Sequence, residues 1–192
     1  MIPIDDGFIR YWEAKYDEIE NDENTYQQII LQVKKEVHKS QTLSRSTTEE
    51  IYNWKFPLAK RSVEWREFAK YEDGFRRALQ ATEEQKIAIL DDLPGIGISL
   101  ASTFLHFMYP KSFPIIDVRT VDTLQHFGYL DKSKSLYRFR DTAAGYGIFR
   151  GVIASIVRQN PIWTIRQVDR ALFAYHKIIL KPTGKKCRHA AS

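Results

Sequence analysis

The chain of 192 residues has one cysteine, Cys187. One thiol makes neither an intrachain disulfide nor a cysteine-ligated cluster, so a reducing compartment is expected. Long apolar runs are missing too. No stretch approaches the roughly 18 consecutive apolar residues that read as a membrane span. The first residues, MIPIDDGFIRYW, show no basic segment leading into an apolar one. A cytoplasmic protein with no membrane contact is the expectation, nucleoid-associated if the source is bacterial. Sustained apolar–polar alternation, the strand signal, is absent. So are a phosphate-binding P-loop, a nucleophile elbow and a dinucleotide fingerprint. His38, His106, His126, His176 and His189 are scattered without ligand spacing, which argues against zinc. No cofactor is expected.

What is present supports a packed core. Hydrophobic residues make up 43% of the chain and aromatics 13%, enough to argue against low-complexity disorder outside the ends. The formal net charge of +5 is compatible with a polyanionic partner, though many soluble proteins reach it. Helical periodicity runs through most of the chain, with start signals of the capping-box type. Asn24 with Gln27 precedes Ile30, Val33 and Val37; Thr47 with Glu50 precedes Ile51 and Trp54. Ser62 is placed to cap a helix carrying Phe68, Tyr71, Phe75 and Leu79. Thr82 with Gln85 precedes Ile87 and Leu90. Further apolar stripes follow Gly97, Asp117, the Gly145–Gly151 segment, and Thr164 with Gln167. The pattern predicts an all-α protein of eight or nine helices. A single domain is expected over 1–181. The remainder, 182–192, PTGKKCRHAAS, reads as a mobile, solvated basic tail.

One stretch carries chemistry: LPGIGISLASTFLHFMYPKSFPIID, Leu93 to Asp117. Gly95 and Gly97 permit φ > 0 and close approach of another backbone. The turn also opens a helix, whose first N–H groups and dipole favour an anion such as a phosphate. Ile96, between the glycines, can anchor the turn. The plainer reading is an αα-hairpin whose glycines relieve steric strain. Asp117 divides in the same way. It is placed either to stabilise positive charge and orient water in a reaction, or only to cap the Val118–Gly128 helix.

The two ends of this stretch, LPGIGISLA and, after an apolar helix, FPIID, resemble the helix-hairpin-helix superfamily of base-excision DNA glycosylases, which includes the endonuclease III and adenine-mismatch branches. The resemblance covers roughly residues 82–128. It implies a two-lobed helical fold with the hairpin at 82–109 and an aspartate-bearing helix at 117–128. The N- and C-terminal helices would form the second lobe. It also implies that the backbone of Gly95, Ile96 and Gly97, with Ser99 beside them, holds a phosphate of double-stranded DNA, with an alkali cation as a candidate at the turn. Asp117 would then be the catalytic aspartate. Ser99 stands where bifunctional members carry a Schiff-base lysine, so hydrolysis is expected and lyase activity by that route is not. Two departures stand out. Val118-Arg119-Thr120 follows Asp117, where many members have a histidine two places on, and the iron–sulfur cysteines are absent.

A flipped base needs flat or apolar walls, for which Tyr11, Trp12, Trp54, Trp65 and Tyr146 are candidates, although aromatics at helical spacing usually belong to the core. YNWKFPLAKR, Tyr52 to Arg61, joins aromatics to cations, so Trp54, Lys55 and Arg61 are expected at a pocket or DNA contact. Arg150, in the glycine-rich GYGIFRG read as a loop entering a helix, could reach a phosphate. Arg119 could contact the backbone or pair on the surface. The expected protein is a monomeric, monofunctional DNA glycosylase acting on a damaged, modified or mismatched base. The alternatives are a non-catalytic DNA-binding relative and a helical protein-interaction module.

Overall fold

A computed structural model describes residues 3–57 and 65–180. Among these the chain forms α1 (Asp6–Tyr16), α2 (Glu23–Ser40), α3 (Arg45–Lys55), α4 (Ala69–Gln80), α5 (Glu83–Asp91), α6 (Ile98–Met108), α7 (Val118–His126), α8 (Leu136–Arg140), α9 (Ala143–Gln159) and α10 (Ile165–Tyr175). A π turn (His176–Leu180) follows α10. The described residues are all-α, and none of their helices is long and apolar enough to cross a membrane.

Helix starts follow the local capping chemistry. Thr82 with Gln85 and Thr164 with Gln167 form capping boxes at α5 and α10, as the spacing predicts. Two starts differ from their sequence signals. The helix marked by Asn24 begins at Glu23, behind Asp22; the Asp22 carboxylate does not cap but accepts from the Tyr16 hydroxyl and Arg166. In α3 the cap is Ser44, which accepts from the Thr47 N–H at 3.3 Å. Thr47 instead donates its hydroxyl to Glu36 of α2. Ser62 lies outside the described residues, and α4 starts at Ala69.

The segment Gly145–Gly151 is part of α9 itself, capped by Thr142, and not a loop. Gly145 sits where α8 crosses the start of α9: a Cβ there would lie 2.0 Å from the Arg138 carbonyl oxygen. The glycine is a packing requirement.

α6 is apolar on nearly every side, as a central helix must be. Ile98, Leu100, Ala101, Phe104, Leu105 and Phe107 are buried, and α6 packs against α2, α3 and α5. Burial of each such large side chain contributes about 1.5–3 kcal/mol of transfer free energy. α10 packs against α1, α7 and α9. The two helix groups share one continuous core. Lys86, buried in α5, donates to the carbonyls of Ala78, Leu79 and Ala81 and so satisfies the C-terminal end of α4.

Candidate functional site at Asp117

The segment between α6 and α7 turns after Tyr109 and then runs irregularly to Asp117, with no strand among the described residues to pair with, so its polar backbone groups need other partners. Side chains supply them. Arg150 donates to Ser112 O at 2.9 Å and Tyr146 donates to Pro114 O at 2.9 Å. His106 Nδ1 lies 2.7 Å from Phe113 O. Ser99 donates to Ile116 O at 3.2 Å, while Ser102 Oγ accepts from Ile116 N–H at 3.2 Å. Burial pushes His106 down to about 3. The ring is therefore neutral, and its Nδ1–H donates to Phe113. Nε2 is left to accept from the buried Tyr26 hydroxyl at 2.8 Å. This set of bonds delivers the chain to Asp117 in one fixed position.

Asp117 is extended (φ −139°) and caps α7 in a capping box with Thr120. Its Oδ1 accepts from the Arg119 N–H at 2.8 Å and faces the Arg119 guanidinium at 3.4 Å. Its Oδ2 lies 3.9 Å from Lys55 Nζ, at the end of α3. The Asp117 side chain is 21% exposed and that of Lys55 9%. Burial works against the Asp117 charge, but Lys55 and the Arg119 N–H and guanidinium more than offset it. The carboxyl therefore lies below its ordinary range and is ionised at neutral pH.

Asp117 stands in the wall between two cavities. One, of about 720 Å³, is lined by Gly95, Gly97, Ser99, Tyr52, Phe56 and Arg140. The other, of about 460 Å³, is lined by Trp54, Lys55, Arg119, Arg166, Asp169 and Phe173. The α5–α6 turn at the first has Gly95 at φ +75°, a left-handed conformation that favours glycine. Tyr71 donates to Pro94 O at 2.7 Å, and buried Ile96 holds the turn to the core. Gly97 differs from Gly95. Its φ is −97°, and a Cβ added there would meet nothing within 4 Å, so the fold does not require glycine at that position. The Asp91 carboxyl at the end of α5 takes the Ile98 N–H; burial, Asp92 and Asp141 raise its pKa.

The second cavity has a charged back wall. Arg166 donates to Asp169 at 3.1 Å, to Asp22 at 3.3 Å and to the Tyr16 hydroxyl at 3.3 Å. Its guanidinium lies over the rings of Tyr26 and Trp54 at 4.7 and 5.3 Å. Burial pushes Asp169 up to about 6, against the opposing pull of Arg166 and Lys55. The sign of the linkage follows. A carboxyl raised in the fold contributes stability below its unfolded range near 4, and that contribution is lost as pH rises through 6. Asp169→Asn should therefore gain on wild type, by on the order of 2 kcal/mol between pH 4 and pH 7. Urea denaturation of both proteins at the two pH values reads the difference. A gap that stays constant, or that shrinks as pH rises, would contradict the assignment.

The residues expected at the site separate in the structure. Gly95, Gly97, Ser99 and Asp117 line one cavity, and Trp54, Lys55, Arg119 and Asp117 line the other. The Ser99 hydroxyl is engaged with the Ile116 carbonyl. Arg150 is outside both cavities; it ties α9 to Ser112, pairs with Glu83 and lies over the Phe113 ring at 4.2 Å. Arg61 lies outside the described residues. Of the candidate aromatics, Tyr146 and Trp65 are buried in the core. The Trp54 indole N–H is buried without a hydrogen-bond partner among the described residues. Sequence reasoning missed Asp169 and Arg166, whose charges flank the apolar stripe of the last helix. It also missed the roles of Ser102 and His106, for which no local signal existed. No family model, curated protein or solved structure matches the chain.

Proposed function

We propose that the protein binds double-stranded DNA and hydrolyses the N-glycosidic bond of a damaged, modified or mismatched base turned out of the helix. The observation that carries this reading is the position of Asp117, a fixed and ionised carboxylate between a glycine turn and an aromatic, charged cavity. A DNA backbone phosphate approaches the α5–α6 turn, where glycine leaves room for it. The extruded base enters the cavity beside Trp54 and Phe173, flat walls of the kind such a base needs.

As the bond between C1′ and the base nitrogen breaks, positive charge develops on the sugar, and the Asp117 carboxylate stabilises it. A carboxylate held below its ordinary range is a weak base, so its main contribution is electrostatic, and water is the nucleophile. Arg119 and Lys55 keep it ionised. Ser99 carries no amine; it positions Asp117 through the Ile116 carbonyl. The hairpin, the following aspartate and the all-helical fold together support the likeness to the helix-hairpin-helix glycosylases. A second reading, a DNA-binding relative without catalysis, is favoured by one observation: both Asp117 oxygens already face cations within the protein.

Binding tests the DNA side of the proposal. The affinity of wild type for a duplex should fall steeply with salt, as phosphate contacts require. Gly97→Val should melt within about 1 kcal/mol of wild type, since the site is open and its φ ordinary. It should nevertheless bind duplex at least about tenfold more weakly, a loss of 1.4 kcal/mol. Fluorescence anisotropy at several salt concentrations reads both effects. Salt-independent binding, or a Gly97→Val protein that binds as wild type does, would remove the turn from the interface.

A further inference from the structure

Tyr11 and Tyr137 are both more than half exposed, and their rings are held differently. Tyr11 packs edge-on against Trp12, with ring centroids 5.0 Å apart. Tyr137, in α8, has no ring partner among the described residues. Instead the Arg140 guanidinium lies 4.7 Å from its centroid, fixed there by two bonds to Asp141 at 2.7 and 3.2 Å. One face of the phenol is backed by a flat cation. With the residue 60% exposed, the other face is open to solvent.

The support around this ring is rigid. Phe139 of α8 is buried, and the absence of a Cβ at Gly145 lets α9 approach the Arg138 carbonyl. The loop ahead of α8 is pinned by buried Gln125, whose Nε2 donates to Asp131 O and Lys134 O, each at 2.8 Å. Ser133 closes the loop locally by donating its N–H and hydroxyl to Asp131. Lys132, Lys134 and Arg138 are exposed on this support, and their charged ends make no hydrogen bond or ion pair with a described residue. Arg140 and Asp141 also line the cavity that contains Gly95, Gly97 and Asp117, so the platform adjoins the α5–α6 turn.

We infer that this surface holds single-stranded DNA continuing from a duplex bound at the α5–α6 turn, with an unpaired base stacked on Tyr137 and its phosphates on Lys132, Lys134 and Arg138. The inference rests on the duplex-binding part of the proposed function and is independent of base release. Within a duplex each base covers the next and offers no face to a protein ring. An unpaired base does offer one, and an aromatic platform takes any of the four because every base has a π-face. Cations without partners beside the ring supply the phosphate contacts that such a strand needs. The protein is thereby directed to DNA where paired and unpaired segments meet.

Fluorescence anisotropy with a blunt duplex, and with the same duplex carrying a single-stranded extension at its 5′ or its 3′ end, tests the surface. Wild type should bind one of the extended duplexes at least about fivefold more tightly than the blunt one. Tyr137→Ala should remove that gain and leave the affinity for blunt duplex unchanged, while Tyr137→Phe, which keeps the ring, should keep the gain. Circular dichroism checks that both variants fold, as the exposure of the side chain leads one to expect. Replacing Lys132, Lys134 and Arg138 together by alanine should lower the salt slope on the extended duplex by about 2. Equal affinity of wild type for blunt and extended duplexes would overturn the inference and leave the duplex reading standing. A gain that survives Tyr137→Ala would also overturn it. If no probe binds at low salt, both readings fall.

Discussion

Asp117→Asn is expected to fold, to bind duplex DNA as wild type does, and to release base about 10²–10⁴-fold more slowly. The separation of effects comes from the two roles of one side chain. As the N-cap of α7, Asp117 accepts from the Arg119 N–H, and an asparagine oxygen accepts that bond equally well. As the neighbour of the reacting sugar it supplies negative charge, which asparagine lacks. The substitution also leaves Lys55 and Arg119 facing the cavity without a counter-charge, which disfavours a cationic transition state further. The cost to the fold is the unpaired Lys55, about 1–3 kcal/mol. Single-turnover base release and a thermal melt on the same preparation separate the effects. An asparagine variant as active as wild type would reduce Asp117 to a cap.

The second large effect is on stability. Arg166→Met should lower stability by about 3–5 kcal/mol, the cost of removing one partner from a buried charge network. For a chain of this size that is roughly 6–20 °C in melting temperature. Arg166 ties Asp22, ahead of α2, and Tyr16 of α1 to Asp169 of its own helix. Without it, Lys55 is the one cation left near Asp169 among the described residues. Exchanging both members, Arg166→Met with Asp169→Leu, should recover much of the loss, because it removes the buried carboxylate that the single variant strands. A single variant that melts within about 2 °C of wild type would show that the network contributes little.

How much of this was legible in the sequence depended on whether the signal was local. Thr82 with Gln85 and Thr164 with Gln167 mark their helix starts because capping is a contact three residues away. The turn Leu93–Gly97 and Asp117 stood out for the same reason: each is a short pattern with a backbone meaning. Where a polar side chain had a long-range alternative, the local signal misled. The start marked by Asn24 lies instead behind Asp22, whose carboxylate goes to Tyr16 and Arg166, and Thr47 went to Glu36. The support beneath Asp117 was illegible altogether. Arg150 reads in the sequence as a loop cation, but in the fold it holds Ser112 from α9. Tyr146 reads as core and also satisfies Pro114.

Charge on α10 shows the same limit. Arg166, Asp169 and Arg170 flank the apolar stripe of an amphipathic helix, a place that normally faces water. Here that flank packs on α1 and α2, and Arg170 pairs with Glu13, Asp17 and Glu23. Lys55 was visible as a cation among aromatics, but nothing at its own position shows that it ends beside Asp117. Periodicity identifies which face of a helix is buried; it does not identify which distant charges are buried with it.

The central claim is that Asp117 serves the hydrolysis of a glycosidic bond. Its most direct test is the detection of free base by mass spectrometry after wild type is incubated with a broad panel of duplexes carrying modified, damaged and mismatched bases. One base, or a small related set, should be released with an abasic strand left behind, and Asp117→Asn should release none in the same time. Blanks from both proteins across the panel would contradict the account.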